Sequence, residues 1–76
     1  MLDEVRGVSL PDLKRGDKNQ AVKILQILLN GQGFNCGSVD GSYGPKTQTA
    51  VTLANKAYGS VASSVNIDTW KYLFNK

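Results

Sequence analysis

Apolar residues recur at helical spacing in three short parts of the chain. In a helix over positions 19–30, successive residues are rotated by about 100°. This rotation places Ala21, Val22, Leu25, Leu28 and Leu29 on one face. We expect this face to be buried, whereas Ile27 falls on the polar side and is either exposed or a partner contact. Asp17 is the expected N-cap, with Gln20 at the third helical position of a capping box, and Gly31 and Gly33 are expected to end the helix.

Two further helices are predicted towards the C-terminus. Pro45 favours the first position of a helix because it has no backbone N–H to leave unpaired, and Gly59 is expected to end this second helix. Its inner face is narrow and consists mostly of small residues, which allow another helix to approach closely. The residues of that face are Thr47, Ala50, Val51, Ala54 and Tyr58. Asn66 is the expected cap of a short third helix, which places Ile67, Trp70, Leu73 and Phe74 on one side.

A glycine-rich segment joins the first two predicted helices. Residues 33–44 include four glycines in twelve positions, a density that predicts a tight, ordered loop. Asp40 is expected to accept hydrogen bonds from backbone N–H groups of the following turn and of the second helix, and Thr47 to return a hydroxyl hydrogen bond to the loop. Gly41 and Gly44 are expected to provide backbone angles or clearance that a side chain would not allow. These four residues are therefore predicted to be structural.

Length and composition restrict the class of protein. The 76 residues allow one domain, and a hydrophobic fraction of 41% with 20% charged residues is ordinary for a globular chain. The longest apolar run is three residues, too short for a transmembrane helix. No signal-peptide pattern is visible. For a role outside the cell, we expect another part of a longer protein to carry the export signal, or lysis to release the protein.

The residue types exclude several kinds of chemistry. The chain has no histidine, which excludes Ser-His-Asp and Cys-His systems and most zinc sites. Cys36, the single cysteine, cannot form an internal disulfide and is expected to pack within the loop. Asp40 and Asp68 are the only candidates for a catalytic carboxylate pair, and both suit turn and cap positions better. A calcium site would have only Asp40 and Ser42 as ligands. We predict no catalytic residue, no metal and no cofactor.

The charge pattern leaves more than one partner open. The net charge is +3, and the basic residues are scattered along the chain rather than gathered on one element, as a nucleic-acid binder would favour. A scattered excess suits attraction to a polyanionic surface such as a bacterial wall. Two alternatives remain at this point: a small helix-turn-helix-like nucleic-acid-binding domain, and a spacer that docks on a catalytic domain through Ile27.

Several motifs occur together in one order over residues 13–74. They are Gly16-Asp17, Val22-x-x-Leu25-Gln26, Asp40-Gly41-x-x-Gly44-x-x-Thr47 and Thr69-Trp70. This set resembles the peptidoglycan-binding domain type 1 family. The resemblance implies an all-α fold, a small three-helix bundle with an ordered Gly-rich loop. It also implies a non-catalytic module that fastens amidases, muramidases or phage endolysins to the wall. We predict an N-terminal arm or linker over 1–12 and the binding domain over 13–76.

A shallow groove with an aromatic platform and amide or basic neighbours suits the sugars and stem peptides of the wall. Tyr43 is expected to be exposed at the loop tip, and Lys46 to pair with a stem-peptide carboxylate, while Tyr58 or Tyr72 could add a second aromatic surface. Core packing is the alternative for each aromatic residue. The predicted ligand-binding set is Gln32, Asn35, Ser42, Tyr43, Lys46 and Tyr58. The expected partners are bacterial peptidoglycan (glycan strand or stem peptide) and an attached catalytic domain, without nucleic acid or membrane insertion, in the cell wall or outside the cell.

Overall fold

A computed structural model describes residues 11–74, which form three α-helices. Helix α1 spans Gln20–Gly31, α2 spans Pro45–Ala57 and α3 spans Ile67–Phe74. Each helix packs against the other two, and residues 11–74 contain no β-strand. The predicted all-α three-helix fold is therefore confirmed. Most of the predicted arm over 1–12 lies outside the described residues, so this division of the chain stays a prediction.

The core is built from the inner faces that the periodicity indicated. On α1, Val22, Leu25 and Leu29 are fully buried, and Ala21 and Leu28 are half-buried against them. From the other two helices and the connecting segments, the core receives Leu13, Cys36, Tyr43, Ala50, Val51, Ala54, Val65, Trp70 and Leu73. Ile27 is 56% exposed, on the outer side of α1.

The N-cap of α1 is Asn19, so the expectation for Asp17 is wrong. Asn19 Oδ1 accepts a hydrogen bond from Val22 N at 3.0 Å, and Gln20 is the first helical residue rather than the third. Asp17 instead accepts from Lys14 N at 3.0 Å. Asn19 N donates to Gly41 O at 3.1 Å, and Asn19 itself has an extended backbone, so the helix begins at residue 20.

The other helix ends follow the predicted residues. Gly33 and Gly59 have φ angles of +88° and +91°, the left-handed region that glycine tolerates. Pro45 is the first residue of α2. Asn66 Oδ1 accepts from Asp68 N at 2.9 Å and from Thr69 N at 3.1 Å, so Asn66 caps α3 as predicted.

The segment before α1 ties both interhelical loops to the bundle. Leu13 and Val65 exchange two backbone hydrogen bonds, at 3.0 and 2.8 Å. A few residues later, Gly16 N donates to Tyr43 O at 3.0 Å, and Tyr43 N donates to Asp17 O at 2.9 Å. Trp70 Nε1 donates to Pro11 O at 2.8 Å, which fastens the start of the described chain to α3. The glycine-rich loop is therefore held on its inner side by backbone pairing.

Candidate functional site

A buried amide on α1 organises the glycine-rich loop. Gln26 is 1% exposed, and its Nε2 lies 3.1 Å from each of three acceptors: Asp40 Oδ1, Ser42 O and Thr47 Oγ1. Its Oε1 accepts a hydrogen bond from Gly41 N at 2.8 Å. One side chain thus uses its donors and its acceptor on the loop and on the first turn of α2. Because these bonds are buried or half-buried, they fix the loop strongly.

Asp40 and Thr47 join this network in different ways. Asp40 Oδ1 accepts from Ser42 N at 2.9 Å, which is the turn contact expected, and its second partner is Gln26 rather than the start of α2. The hydrogen bond from Ser42 N, followed by that from Gln26, holds the pKa of the Asp40 carboxyl below its ordinary value. Thr47 is buried, and its hydroxyl accepts from Gln26 instead of reaching back to the loop.

The two glycines of the motif differ. Gly41 has φ of +76°, and a Cβ there would lie 3.3 Å from Asn19 O, so a side chain would be strained and crowded. Gly44 has φ of −105°, and no heavy atom beyond its chain neighbours lies within 4 Å of the position of a Cβ. The expectation that Gly44 provides necessary clearance or a special backbone angle is therefore wrong.

Two adjoining hollows lie on the outer side of this loop, and Lys46 lines both. The larger has a volume of about 460 Å³ and is lined by Gln26, Cys36, Ser38, Asp40, Ser42, Gly44, Pro45, Lys46 and Thr47. The smaller, of about 290 Å³, is lined by Asn35, Gly37, Lys46 and Thr49. The Lys46 stem passes over Gly37, where a Cβ would lie 3.3 Å from Lys46 Cδ. We call the two hollows together the Lys46 cleft.

Three of the predicted ligand-binding residues meet at the Lys46 cleft. They are Asn35, Ser42 and Lys46. Asn35 Oδ1 accepts from Gly37 N at 2.9 Å, which fixes the turn beneath the lysine. Ser38 lines the larger hollow as well and was not predicted.

The other three predicted residues lie elsewhere. Gln32 Nε2 donates to Leu73 O at 3.5 Å, at the end of α1. Tyr58 packs against Tyr72 with ring centroids 5.1 Å apart and ring planes inclined by 32°, and its hydroxyl donates to Asn55 Oδ1 at 2.9 Å. The expectation of an exposed Tyr43 is wrong, because the residue is 1% exposed.

Tyr43 is a core residue because the loop bends inward at this point. Its hydroxyl donates to Ser63 O at 3.3 Å, so the ring bridges the glycine-rich loop and the loop before α3. Burial, with a smaller contribution from the negative charge of Asp17, raises the pKa of Tyr43 to about 12. An aromatic platform at the loop tip is therefore not available to a ligand.

Asn55 repeats on α2 what Gln26 does on α1. It is fully buried, and its Nδ2 donates to Ala62 O and Ser64 O, both at 3.0 Å. Its Oδ1 accepts from Thr69 Oγ1 at 2.6 Å. Each buried amide thus clamps the loop that follows its helix and binds a threonine of the next helix.

The sequence reasoning missed both amides as site-forming residues. The available signal for Gln26 was its position beside Leu25 in the motif on which the family resemblance rests, and for Asn55 its place next to Ala54 on the inner face of α2. Cys36 is packed, as expected. Its thiol donates to Asn30 Oδ1 at 3.4 Å and to Gln26 O at 3.5 Å, and burial raises its pKa.

Within residues 11–74, no group of three or more His, Cys, Asp or Glu side chains is placed to hold a metal ion. None of the helices described is long and apolar enough to cross a membrane.

Three short helices around a clamped loop, with an open polar cleft on that loop, define a small binding module. A family model described as "Putative peptidoglycan binding domain" matches residues 18–71, and the chain belongs to this family. The chain is also similar to a solved structure, "The crystal structure of SleB N-terminal domain", with 29% identity and a TM-score of 0.82 over 88% of this chain and 93% of that one. A comparison with curated proteins finds no match. The domain is a peptidoglycan-binding module, which is not catalytic in itself.

Proposed function

We propose that the domain binds peptidoglycan through the Lys46 cleft and so holds an attached cell-wall hydrolase at its substrate. The observation that carries this proposal is the position of Lys46, whose side chain lines both hollows. Asn35 borders one hollow, and Ser38 and Ser42 border the other. The cleft therefore offers one ammonium group among amide and hydroxyl groups, which suits the carboxylates, amides and hydroxyls of the wall polymer.

The electrostatics at the start of α2 favour an anionic group of the ligand. Lys46 is the second residue of this helix, the first turn contains no acidic residue, and the N-cap Gly44 has no side chain to occupy the first N–H groups. The positive end of the helix dipole therefore adds to the lysine charge. A stem-peptide carboxylate is the anionic group that the wall polymer would place there.

Membership of the family supports a proposal for the attached enzyme and for the location. A peptidoglycan-binding module acts where the wall is, so we place the domain in the cell wall or outside the cell. An amidase, a muramidase or an endolysin would gain from it a high local substrate concentration. Ile24 and Ile27, 41% and 56% exposed on the outer side of α1, supply an apolar surface that a catalytic domain could contact.

The test is cosedimentation of the domain with purified insoluble sacculi at physiological salt. We expect the unaltered domain to sediment, and Lys46→Gln to weaken binding about 10- to 100-fold, since a hydrogen bond to a charged group contributes about 1.5 to 3 kcal/mol. Lys23→Gln, which removes an equal charge from the exposed side of α1, is the matched control and should bind normally. An equal loss in both variants would indicate attraction by net charge alone, and an unaltered domain that stays in the supernatant would refute wall binding.

The nucleic-acid alternative is tested in the same preparation. A nucleic-acid binder would bind duplex DNA with an affinity that falls steeply as salt is raised. We expect no such affinity, because the basic residues of the described chain are spread over the three helices and the segment before α1 rather than gathered on one helix.

A further inference from the structure

The larger hollow of the Lys46 cleft is lined by charges of both signs. Asp40 and Lys46 both border it, and both residues are exposed. Two hydrogen bonds to the Asp40 carboxyl hold its pKa below the ordinary value, so the group is an anion at neutral pH. The hollow therefore presents an acid and a base to any molecule that enters it.

Neither charged group is neutralised by an ion pair within the part of the fold that the structure describes. The hydrogen bonds from Gln26 Nε2 and Ser42 N to Asp40 both end on Oδ1, so neither of them uses Oδ2. Within residues 11–74, Asp40 and Lys46 form no ion pair with each other or with another side chain. Asp40 thus fixes the turn through Oδ1 and also lines the hollow.

The sign of the two charges restricts what can bind. A purely anionic ligand would be repelled by Asp40, and an uncharged glycan would cover both charged groups without pairing either, which costs free energy. A ligand with one cationic and one anionic group pairs both. The volume of about 460 Å³ lies in the usual range for a site that takes a small molecule or a short peptide segment.

We propose that the Lys46 cleft selects a zwitterionic segment of the stem peptide, in which Asp40 pairs with a free side-chain amine and Lys46 with a carboxylate. This rests on the proposed function above. The amine belongs to the diamino residue of the stem, and a cross-link converts it to an uncharged amide. The cleft therefore prefers stems whose diamino residue is not acylated, and the domain would gather on the less cross-linked parts of the wall.

The direct test compares two synthetic stem tetrapeptides that contain lysine as the diamino residue. One has the free side-chain amine, the other is acetylated there, and both keep the C-terminal carboxylate. We expect acetylation to weaken binding to the unaltered domain by about tenfold or more, as the loss of a charge-assisted hydrogen bond predicts. Equal dissociation constants for the two peptides, measured by titration calorimetry, would overturn the proposal without any protein variant.

Protein variants test which group of the peptide pairs with Asp40 and which pairs with Lys46. Asp40→Asn keeps Oδ1 for Gln26 and Ser42 but removes the negative charge, so it should bind the free and acetylated peptides equally. Lys46→Gln should lose the preference for a C-terminal carboxylate over a C-terminal amide and keep the preference for the free amine. Asp68→Asn, which removes an exposed acid from the first turn of α3, is the control and should discriminate as the unaltered domain does. An Asp40→Asn variant that still prefers the free amine would refute the role of Asp40.

The sacculus assay separates this proposal from the one on which it rests. If Lys46→Gln loses sacculus binding but acetylation of the peptide has no effect, the cleft binds the wall and the zwitterion proposal fails alone. If both Asp40→Asn and Lys46→Gln bind sacculi normally, the ligand lies elsewhere and both proposals fail.

Discussion

The side-chain oxygen of Gln26 lies 2.8 Å from the backbone nitrogen of Gly41. This contact joins the middle of α1 to the one position in the motif where a side chain would be both strained and crowded. The loop turns at Gly41, its N–H points into the bundle, and the amide of Gln26 receives it. The shape of the Lys46 cleft therefore depends on Gln26, although almost none of its surface is accessible to a ligand.

Replacing Gln26 should destabilise the fold and disturb the cleft together. Gln26→Ala leaves the N–H of Gly41, the carbonyl of Ser42 and the hydroxyl of Thr47 without this partner. We expect the free energy of unfolding to fall by about 2 to 3 kcal/mol, since one unpaired buried polar group costs about 1 to 3 kcal/mol. Urea denaturation measures this. Gln20→Ala, at the exposed start of the same helix, should change it by less than about 0.5 kcal/mol, and similar values for the two variants would refute the clamp.

Replacing Asn55 should destabilise the fold as much as replacing Gln26 does, but it should leave the Lys46 cleft undisturbed. Asn55→Ala removes the contacts to Ala62 and Ser64 from a fully buried position, so we expect a loss of about 2 to 3 kcal/mol. The loop that it clamps lies before α3, away from the Lys46 cleft. At a temperature where both variants are folded, Asn55→Ala should bind sacculi better than Gln26→Ala does. If Asn55→Ala instead binds sacculi more weakly than Gln26→Ala does, the ligand surface lies on the loop before α3 and not at the Lys46 cleft.

The buried phenol of Tyr43 predicts a loss of stability in alkali. Its pKa is about 12 in the folded protein against an ordinary value of 10.0, so the neutral phenol is favoured by folding. The contribution is fully present below the unfolded pKa and is lost as the pH rises from about 10 to about 12. The unfolding free energy should fall more steeply across this window in the unaltered domain than in Tyr43→Phe. Parallel pH profiles would show that this phenol titrates alike in both states.

The two candidates for the cap of α1 can be separated by substitution. Asn19→Ala removes the bond to Val22 N and should lower the free energy of unfolding by about 1 kcal/mol, the usual effect of a lost N-cap. Asp17→Ala removes a contact within the turn before the helix and should cost less. Thermal melting of both variants at one pH is sufficient. A larger effect of Asp17→Ala would indicate that the helix starts earlier than residue 20.

The helices were predictable because their burial pattern is local. The spacing of Val22, Leu25 and Leu29 fixes the inner face of α1 whatever lies opposite. Caps are decided differently. Asp17 and Asn19 are both good cap residues, and the choice between them is made by backbone pairing with a loop more than twenty residues later in the chain, which no local pattern contains.

The site was predictable only where exposure and chemistry coincide. Asn35 is a polar residue of the glycine-rich segment, Lys46 lies in the first turn of the helix that follows it, and both border the cleft. The glycine-rich surroundings of Tyr43 predict exposure, whereas its burial is due to contact with the loop before α3. Gln26 and Asn55 are polar residues among core positions, and their partners are backbone groups of distant loops. From the sequence alone, each of these residues is visible as an amide on the inner face of a helix, but its hydrogen-bond partners are not.

The most direct test of this account is chemical-shift mapping of the isotopically labelled domain with a soluble muropeptide. We expect the shifted amides to cluster between residues 35 and 47, around both hollows of the Lys46 cleft, with little change in the loop over 59–66. Shifts centred on Tyr58, Tyr72 and the loop before α3 would contradict the account, because the ligand would then bind the other clamped loop.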